Sequence, residues 1–256
     1  MDTIKTHQLT KRYGAVAVVD KLDLEVKAGE IFGFLGPNGA GKTTTIRLLT
    51  GLLEPTAGQA FICGHDIVKE PTQAKALLAY VPDQPKIYGK LTAREFLALM
   101  ADLYRIPQEV SRERAEQLLA MFHLQDRADE LLEGYSHGMR QKVVLAAALI
   151  HQPRVILMDE PTVGLDPASA RLLKDVLQEL ARQGATVFVS THILEIAERL
   201  CHRVGILQKG KLIAQGSPEE LRHKLGENNS LEDIFLELTG SSENADLIKS
   251  LEGNGK

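Results

Sequence analysis

At 256 residues, 44% of them apolar and 25% charged, the chain has the composition of an ordinary globular protein, long enough for one large core or two smaller ones. A formal charge of -4 and 5% aromatic residues supply neither the basic footprint nor the stacking platform of a nucleic-acid binder, so nucleic acid is not an expected partner. Cys63 and Cys201 lie far apart and in no metal-ligand spacing, which suits reduced thiols, and the longest apolar run, Val143 to Ile150, falls far short of the roughly 20 residues needed to cross a bilayer.

Taken in chain order, IKTHQLTKRYG (4–14) and VVDKLDLEV (18–26) alternate apolar and polar residues, which predicts strands exposed on one face. EIFGFLG (30–36) reads as a buried strand. From Thr43 to Leu53 the residues Ile46, Leu48, Leu49 and Leu52 recur at helical spacing, so the glycine-rich stretch before them sits at a strand-to-helix junction. PTAG (55–58) marks a turn. Residues 91 to about 152 read as a helical insert: LTAREFLALMADLY carries Thr92 and Glu95 in a capping-box arrangement, and SRERAEQLLAMFHL (111–124) is a second helix.

RVILMDEP (154–161), ATVFVSTH (185–192) and RVGILQKGKLIAQG (203–216) return to short β-branched runs. A helix, ASARLLKDVLQELARQG, separates the first two and Gly184 stands at its end. Strand, helix, strand implies a parallel sheet with crossover helices. SLEDIFLELTG (230–240) puts Leu231, Ile234, Phe235 and Leu238 on one helical face behind Ser230 as N-cap, and the polar residues 241–256 read as a loosely ordered tail.

The chemistry concentrates in GPNGAGKT, Gly36 to Thr43, which fits GxxxxGK[ST] and follows an apolar strand as that pattern requires. Glycines let successive N–H groups point into one concavity at a helix N-terminus; Lys42 reaches β and γ phosphates and the Thr43 hydroxyl ligates Mg²⁺. VILMDEP ends an apolar strand in two acids. Beside a phosphate loop, Asp159 is placed to hold the Mg²⁺ shell and Glu160 to orient and deprotonate an attacking water. The fold class expected is α/β, a phosphate-loop NTPase with an N-terminal antiparallel β portion, a mainly parallel core sheet and a helical insert.

Over roughly residues 4 to 240 the ordered set of motifs resembles the ATP-binding subunit of an ABC transporter. GPNGAGKTT resembles the family's Walker A, which implies nucleotide contacts from Gly36, Pro37, Asn38, Gly39, Ala40, Gly41, Lys42, Thr43 and Thr44. VILMDEP resembles Walker B with its catalytic Glu160, and VGLDP (163–167) the D-loop. His192 in VSTH matches the switch histidine at the γ-phosphate, and Tyr13 in KRYG the aromatic that stacks on adenine.

YSHGMRQK (135–142) occupies the signature position. Ser136 and Gly138 remain, while His137 and Met139 replace a glycine and a glutamine of the commonest form. This variant and the closing SLEDIFLELTG resemble the type-2 branch, which serves drug, antibiotic and other exporters. In YVPDQP (80–85) the family's Q-loop glutamine aligns with Asp83 while Gln84 comes one residue late, so either side chain is a candidate for sensing Mg²⁺ and water.

The resemblance implies a single ATP-binding domain over 1–240 with a helical subdomain at about 88–152. It implies a homodimer or heterodimer around two Mg-ATP, each Ser136 facing the phosphate held by the opposite subunit. It further implies separately encoded transmembrane permease subunits, docked on a groove between the insert and loop 83–90, and a cytoplasmic, peripheral place on the inner face of the membrane. Two rival readings, a soluble ATPase that remodels DNA or ribosomes and a nucleotide-gated module without hydrolysis, fit less well. The first resembles tandem cassettes or long coiled coils absent here, and the second leaves Lys42, Asp159, Glu160 and His192 without a use.

Overall fold

A computed structural model describes residues 2–225 and 230–240; the tail expected at 241–256 lies outside the described residues. Its elements run β1 (Asp2–Tyr13), β2 (Val16–Lys27), β3 (Ile31–Leu35), α1 (Lys42–Leu49), β4 (Ala57–Ile62), β5 (His65–Asp66), α2 (Pro71–Ala76) and β6 (Leu78–Val81). The insert follows as α3 (Ala93–Leu103), α4 (Gln108–Met121) and α5 (His137–Leu149). Then come β7 (Val155–Asp159), α6 (Pro167–Arg182), β8 (Thr186–Thr191), α7 (Leu194–Leu200), β9 (Arg203–Gln208), β10 (Lys211–Gly216), α8 (Pro218–Leu225) and α9 (Leu231–Thr239).

β1 and β2 form an antiparallel hairpin, extended by β4 and β5 into a four-stranded sheet of order β2-β1-β4-β5. The predicted one-sided exposure is present: Leu22, Leu24 and Val26 are buried while the residues between them face water. The second sheet has six strands in the order β10-β9-β3-β8-β7-β6, parallel except for the edge hairpin β9–β10. Every residue of β3, β7 and β8 is buried, because both faces of this sheet are covered.

The pleat sorts those residues into two cores. Ile31, Leu35, Ile156, Met158, Val187 and Val189 pack on the face that carries the helical insert. Phe32, Phe34, Leu157 and Phe188 face the other way, against α1 and the four-stranded sheet. The Phe188 ring stacks on Phe32 at 5.7 Å between centroids and tilts against Phe34 at 5.1 Å.

The insert is helical as predicted. The Thr92 N–H donates to Glu95 Oε2 at 2.8 Å and the Glu95 N–H to Thr92 Oγ1 at 3.2 Å, closing the capping box of α3. Several boundaries differ from the sequence expectation. α1 stops at Leu49 rather than Leu53, because the N–H groups of Leu52 and Leu53 both turn back to the Arg47 carbonyl and leave Leu52 exposed. α4 begins three residues before Ser111, after Pro107, and the Ser111 hydroxyl donates to Gln108 O inside the first turn. The expected PTAG turn runs into β4, which starts at Ala57 and pairs with β1.

Phe188 has no exposed surface and meets two aromatic neighbours. Truncation of such a ring costs about 3–5 kcal/mol. Phe188→Ala is therefore expected to lower the unfolding free energy by that amount, seen in equilibrium urea unfolding as a lower midpoint with an unchanged slope.

Candidate functional site

Parallel pairing places the ends of three strands side by side. Leu35 of β3 pairs with Thr191 of β8, and Ser190 of β8 with Asp159 of β7. The residues that follow, Gly36, His192 and Glu160, therefore emerge together at the carboxyl edge of the sheet, the usual place for a ligand in an open α/β sheet. The Glu160 N–H continues the ladder by donating to Ser190 O at 2.9 Å.

From β3 the chain enters the loop 36–41 and then α1. Gly41 has φ +110, and a Cβ there would lie 2.5 Å from the Val18 carbonyl oxygen of β2; no L side chain suits that conformation or that space. At Gly36 a Cβ would come within 2.6 Å of Leu207 O in β9. The turn between β9 and β10 straps the loop from behind, its Gly210 N–H donating to Ala40 O at 2.9 Å. Among the described residues, the N–H groups of Gly39, Gly41, Lys42, Thr43 and Thr44 meet no acceptor. This cluster at a helix start fits an anionic chain.

Lys42 is buried, and its Nζ donates to Gly36 O at 2.6 Å and Pro37 O at 3.4 Å, with Glu160 Oε1 3.8 Å away. Burial lowers the Lys42 pKa from its ordinary value, while the carboxylates of Glu160 and Asp159 act the other way. A phosphate beside it would favour the ammonium further.

Glu160 carries φ +48, which aims its carboxylate back over the loop. His192 Nδ1 donates to Glu160 Oε1 at 2.9 Å, and the His192 backbone N–H approaches Oε2 at 3.4 Å. Asp159 is buried and its Oδ1 accepts from the Ser190 hydroxyl. A cavity of about 290 Å³ joins loop residues 37–44 to Val18, Asp83, Asp159 and Glu160.

Thr43, Asp159 and Asp83 offer an oxygen-only donor set, the chemistry that a hard cation such as Mg²⁺ requires. Among the described residues no cluster of three or more His, Cys, Asp or Glu forms a self-contained cage.

Not every predicted residue gathers here. Tyr13 ends β1 with its ring 54% exposed, Lys11 Nζ lying 5.4 Å from the ring centroid. Ser136 caps α5, its Oγ accepting from the Met139 N–H at 3.3 Å. Tyr13, Ser136 and Gly138 do not line the cavity. Asp83 does, and it also borders a neighbouring cavity of about 610 Å³ lined by Tyr88, Phe96, Met100 and Tyr104, which is the one that Gln84 lines.

Sequence reasoning passed over Ser190 and Val18. The Ser190 contact was open to inference from VSTH, where it stands two residues before His192 on the strand beside Walker B; nothing in the sequence brings Val18 to the loop.

Residues 19–163 match the family model described as ABC transporter. The daunorubicin/doxorubicin resistance ATP-binding protein DrrA of Streptomyces peucetius is 40% identical over 225 residues, covering 88% of this chain and 68% of that protein. The Nod factor export ATP-binding protein I of Cupriavidus metallidurans is 39% identical over 218 residues, 85% of this chain and 72% of that protein. A solved dimeric structure of the ATP-binding cassette MJ0796 in a post-hydrolysis state, bound to ADP and Pi, superposes with a TM-score of 0.77 at 28% identity, covering 84% of this chain and 98% of that one.

Backbone strain of about 1–3 kcal/mol, together with the clash at Val18 O, falls on the loop in Gly41→Ala. This substitution is expected to weaken Mg-ATP binding by at least about tenfold, the equivalent of 1.4 kcal/mol, and Lys42→Ala to remove saturable binding heat, both read by titration calorimetry. Native-like affinity in both variants would exclude the loop as the phosphate anchor.

Proposed function

The chain belongs to the ABC transporter family as an ATP-binding subunit that hydrolyses ATP, and on that premise we propose that two such subunits close head to tail on two Mg-ATP molecules and drive separate membrane permease subunits in export. What carries the reading is the meeting of Lys42, Asp159, Glu160 and His192 at one strand edge, beside five N–H groups with no acceptor. A site built to hold a triphosphate without cleaving it has no need of a carboxylate fixed between an ammonium and an imidazole.

In this proposal the loop amides and Lys42 bind the β and γ phosphates. Lys42 exchanges its two loop carbonyls for phosphate oxygens, at little cost in geometry because the ammonium is already in place. Glu160 orients a water on the γ-phosphorus and takes its proton, the bond from γ-phosphorus to the β–γ bridging oxygen breaks, and ADP and inorganic phosphate result. His192 holds the Glu160 carboxylate and contacts the γ-phosphate.

Thr43 and Asp159 would hold Mg²⁺, which would supply charge neutralisation for the phosphates. Placement in the same cavity supports Asp83, rather than Gln84, as the residue that senses metal and water. Tyr13 stacks on adenine through its exposed ring. Ser136 and Gly138 face the phosphate on the opposite subunit, which accounts for their distance from the cavity of their own chain. The dimeric state of the similar cassette bound to ADP and Pi supports a dimer.

Residues 1–240 form one ATP-binding domain in this reading, with the helical subdomain at about 88–152 containing α3, α4 and α5. The subunit sits at the inner face of the membrane in this proposal, bound to its permease; among the described residues no helix is long and apolar enough to cross a membrane. The cavity between the insert and loop 83–90 receives a helix of that partner; Tyr88, 65% exposed, and Leu52, 64% exposed, provide apolar contact at its rim. Relatives concerned with drug resistance and Nod factor export support the outward direction.

General-base removal costs about 10²–10⁴ in rate. Glu160→Gln is expected to lose turnover on that scale, to keep Mg-ATP binding and to accumulate as an ATP-bound dimer, followed by phosphate release and by size-exclusion chromatography with light scattering. Near-normal turnover in the variant would take Glu160 out of the role of base.

A further inference from the structure

Two parts of the chain that the proposed dimer uses at different nucleotides touch within one subunit. After Glu160 the chain folds back on itself, the Val163 N–H donating to Glu160 O at 3.1 Å and the Leu165 N–H to Thr162 O at 3.2 Å. Gly164, at φ +76, lies at the tip of this loop against the His137 imidazole: a Cβ added to Gly164 would stand 2.8 Å from His137 Cδ2 and 3.0 Å from Nε2. Beside it, a Cβ on Gly138 would meet Leu165 Cδ2 at 3.9 Å.

A helix cap fixes the far end of this loop. Asp166 caps α6 by accepting from the Ala168 and Ser169 N–H groups at 3.0 Å each and from the Ser169 hydroxyl at 2.5 Å. Its carboxyl is held below the usual carboxylate range by the Ser169 hydrogen bonds first, and also by the ammonium of Lys142, which projects from α5. The first turn of α5 and the loop 160–166 thus meet at two neighbouring pairs, His137 with Gly164 and Gly138 with Leu165.

We propose that His137 is a positioning residue. Its ring, wedged against Gly164, ties the loop behind Glu160 to the Ser136 end of α5, so that the state of a subunit's own nucleotide site is passed to the surface it presents to the partner's nucleotide. The inference rests on the head-to-tail dimer proposed above. Glu160 and the loop amides act on the nucleotide bound by their own chain, Ser136 on the one bound opposite, and the His137–Gly164 contact is the short physical path between them. A small residue at 137 leaves Gly164 free to move without Ser136, so the two sites lose their common response. An imidazole serves where glycine would not, because it reaches across the gap between helix end and loop with a flat, stiff body.

The test is a double-mutant cycle on the full chain, with ATP saturation of hydrolysis measured for the unmodified protein, His137→Ala, Gly164→Ala and the pair. The unmodified chain is expected to respond sigmoidally to ATP. In His137→Ala the Hill coefficient is expected to fall toward one, with loss of the coupling between the two sites, which typically changes ATP affinity by roughly 5–150-fold. Mg-ATP affinity of the dilute monomer, set by Lys42 and the loop, stays unchanged, which a general loss of structure would not allow.

Gly164→Ala is expected to cost several-fold more turnover with His137 present than in the His137→Ala background, where the added methyl has room. Additive effects, a hyperbolic response from the unmodified chain, or retained cooperativity in His137→Ala would each overturn the proposal while leaving the ATPase reading in place. Absence of saturable Mg-ATP binding by the unmodified chain would instead remove that reading, and this inference with it.

Discussion

The side-by-side pairing of β7, β8 and β3 lets residues from three distant parts of the chain share one cavity. Main-chain hydrogen bonds fix their register, with Leu35 opposite Thr191 and Ser190 opposite Asp159. A slip by one residue would turn every side chain to the opposite face. Because both faces are packed with large apolar residues, Phe32, Phe34 and Phe188 on one and Ile31, Ile156 and Val187 on the other, such a slip exchanges well-fitted residues across two cores. The sites of chemistry thus inherit their precision from the core.

Around that ladder the molecule keeps unfavourable local arrangements. Glu160 sits at a positive φ, a conformation that costs a residue of its type about 1–3 kcal/mol. It is held there by its own N–H on Ser190 O, by Val163 folding back on its carbonyl and by His192 on its carboxylate. Lys42 is stripped of water yet remains an ammonium donor to two carbonyls. Several N–H groups of the loop have no acceptor at all. The buried Lys42 and the unpaired N–H groups are penalties for the isolated chain that a bound polyphosphate relieves, and the site is thereby arranged in advance of its ligand.

Much of this was readable in advance because the phosphate loop packs its chemistry into eight consecutive residues, whose types and order are dictated by main-chain geometry at Gly41 and charge at Lys42. The buried strands VILMD and TVFVST were equally plain from their unbroken apolar runs. Legibility failed where the determining contact is remote. The pattern of Leu52 suggested that α1 continues, but the chain is turned by hydrogen bonds to Arg47. Short elements such as α2, β6 and α7 carry too few residues for a period to register. The choice between Asp83 and Gln84 depends on which way successive side chains leave an irregular loop, and the meeting of His137 with Gly164 depends on how α5 lies over the loop after β7. Neither is encoded in any local spacing.

The partners of β3 also bear on how the protein is made. Ile31 pairs with Val187, and Phe32 with Arg203, so this strand leaves the ribosome long before either neighbour is translated. Until then its wholly apolar stretch lacks both of its ladder partners, and the glycine-rich segment behind it lacks the β9–β10 turn that shapes it. Non-local pairing of this kind is slow and exposes the nascent chain to aggregation. The nucleotide pocket, although encoded near the beginning of the message, is among the last regions to take form, and chaperones have the longest interval to guard over the segment on which activity most depends.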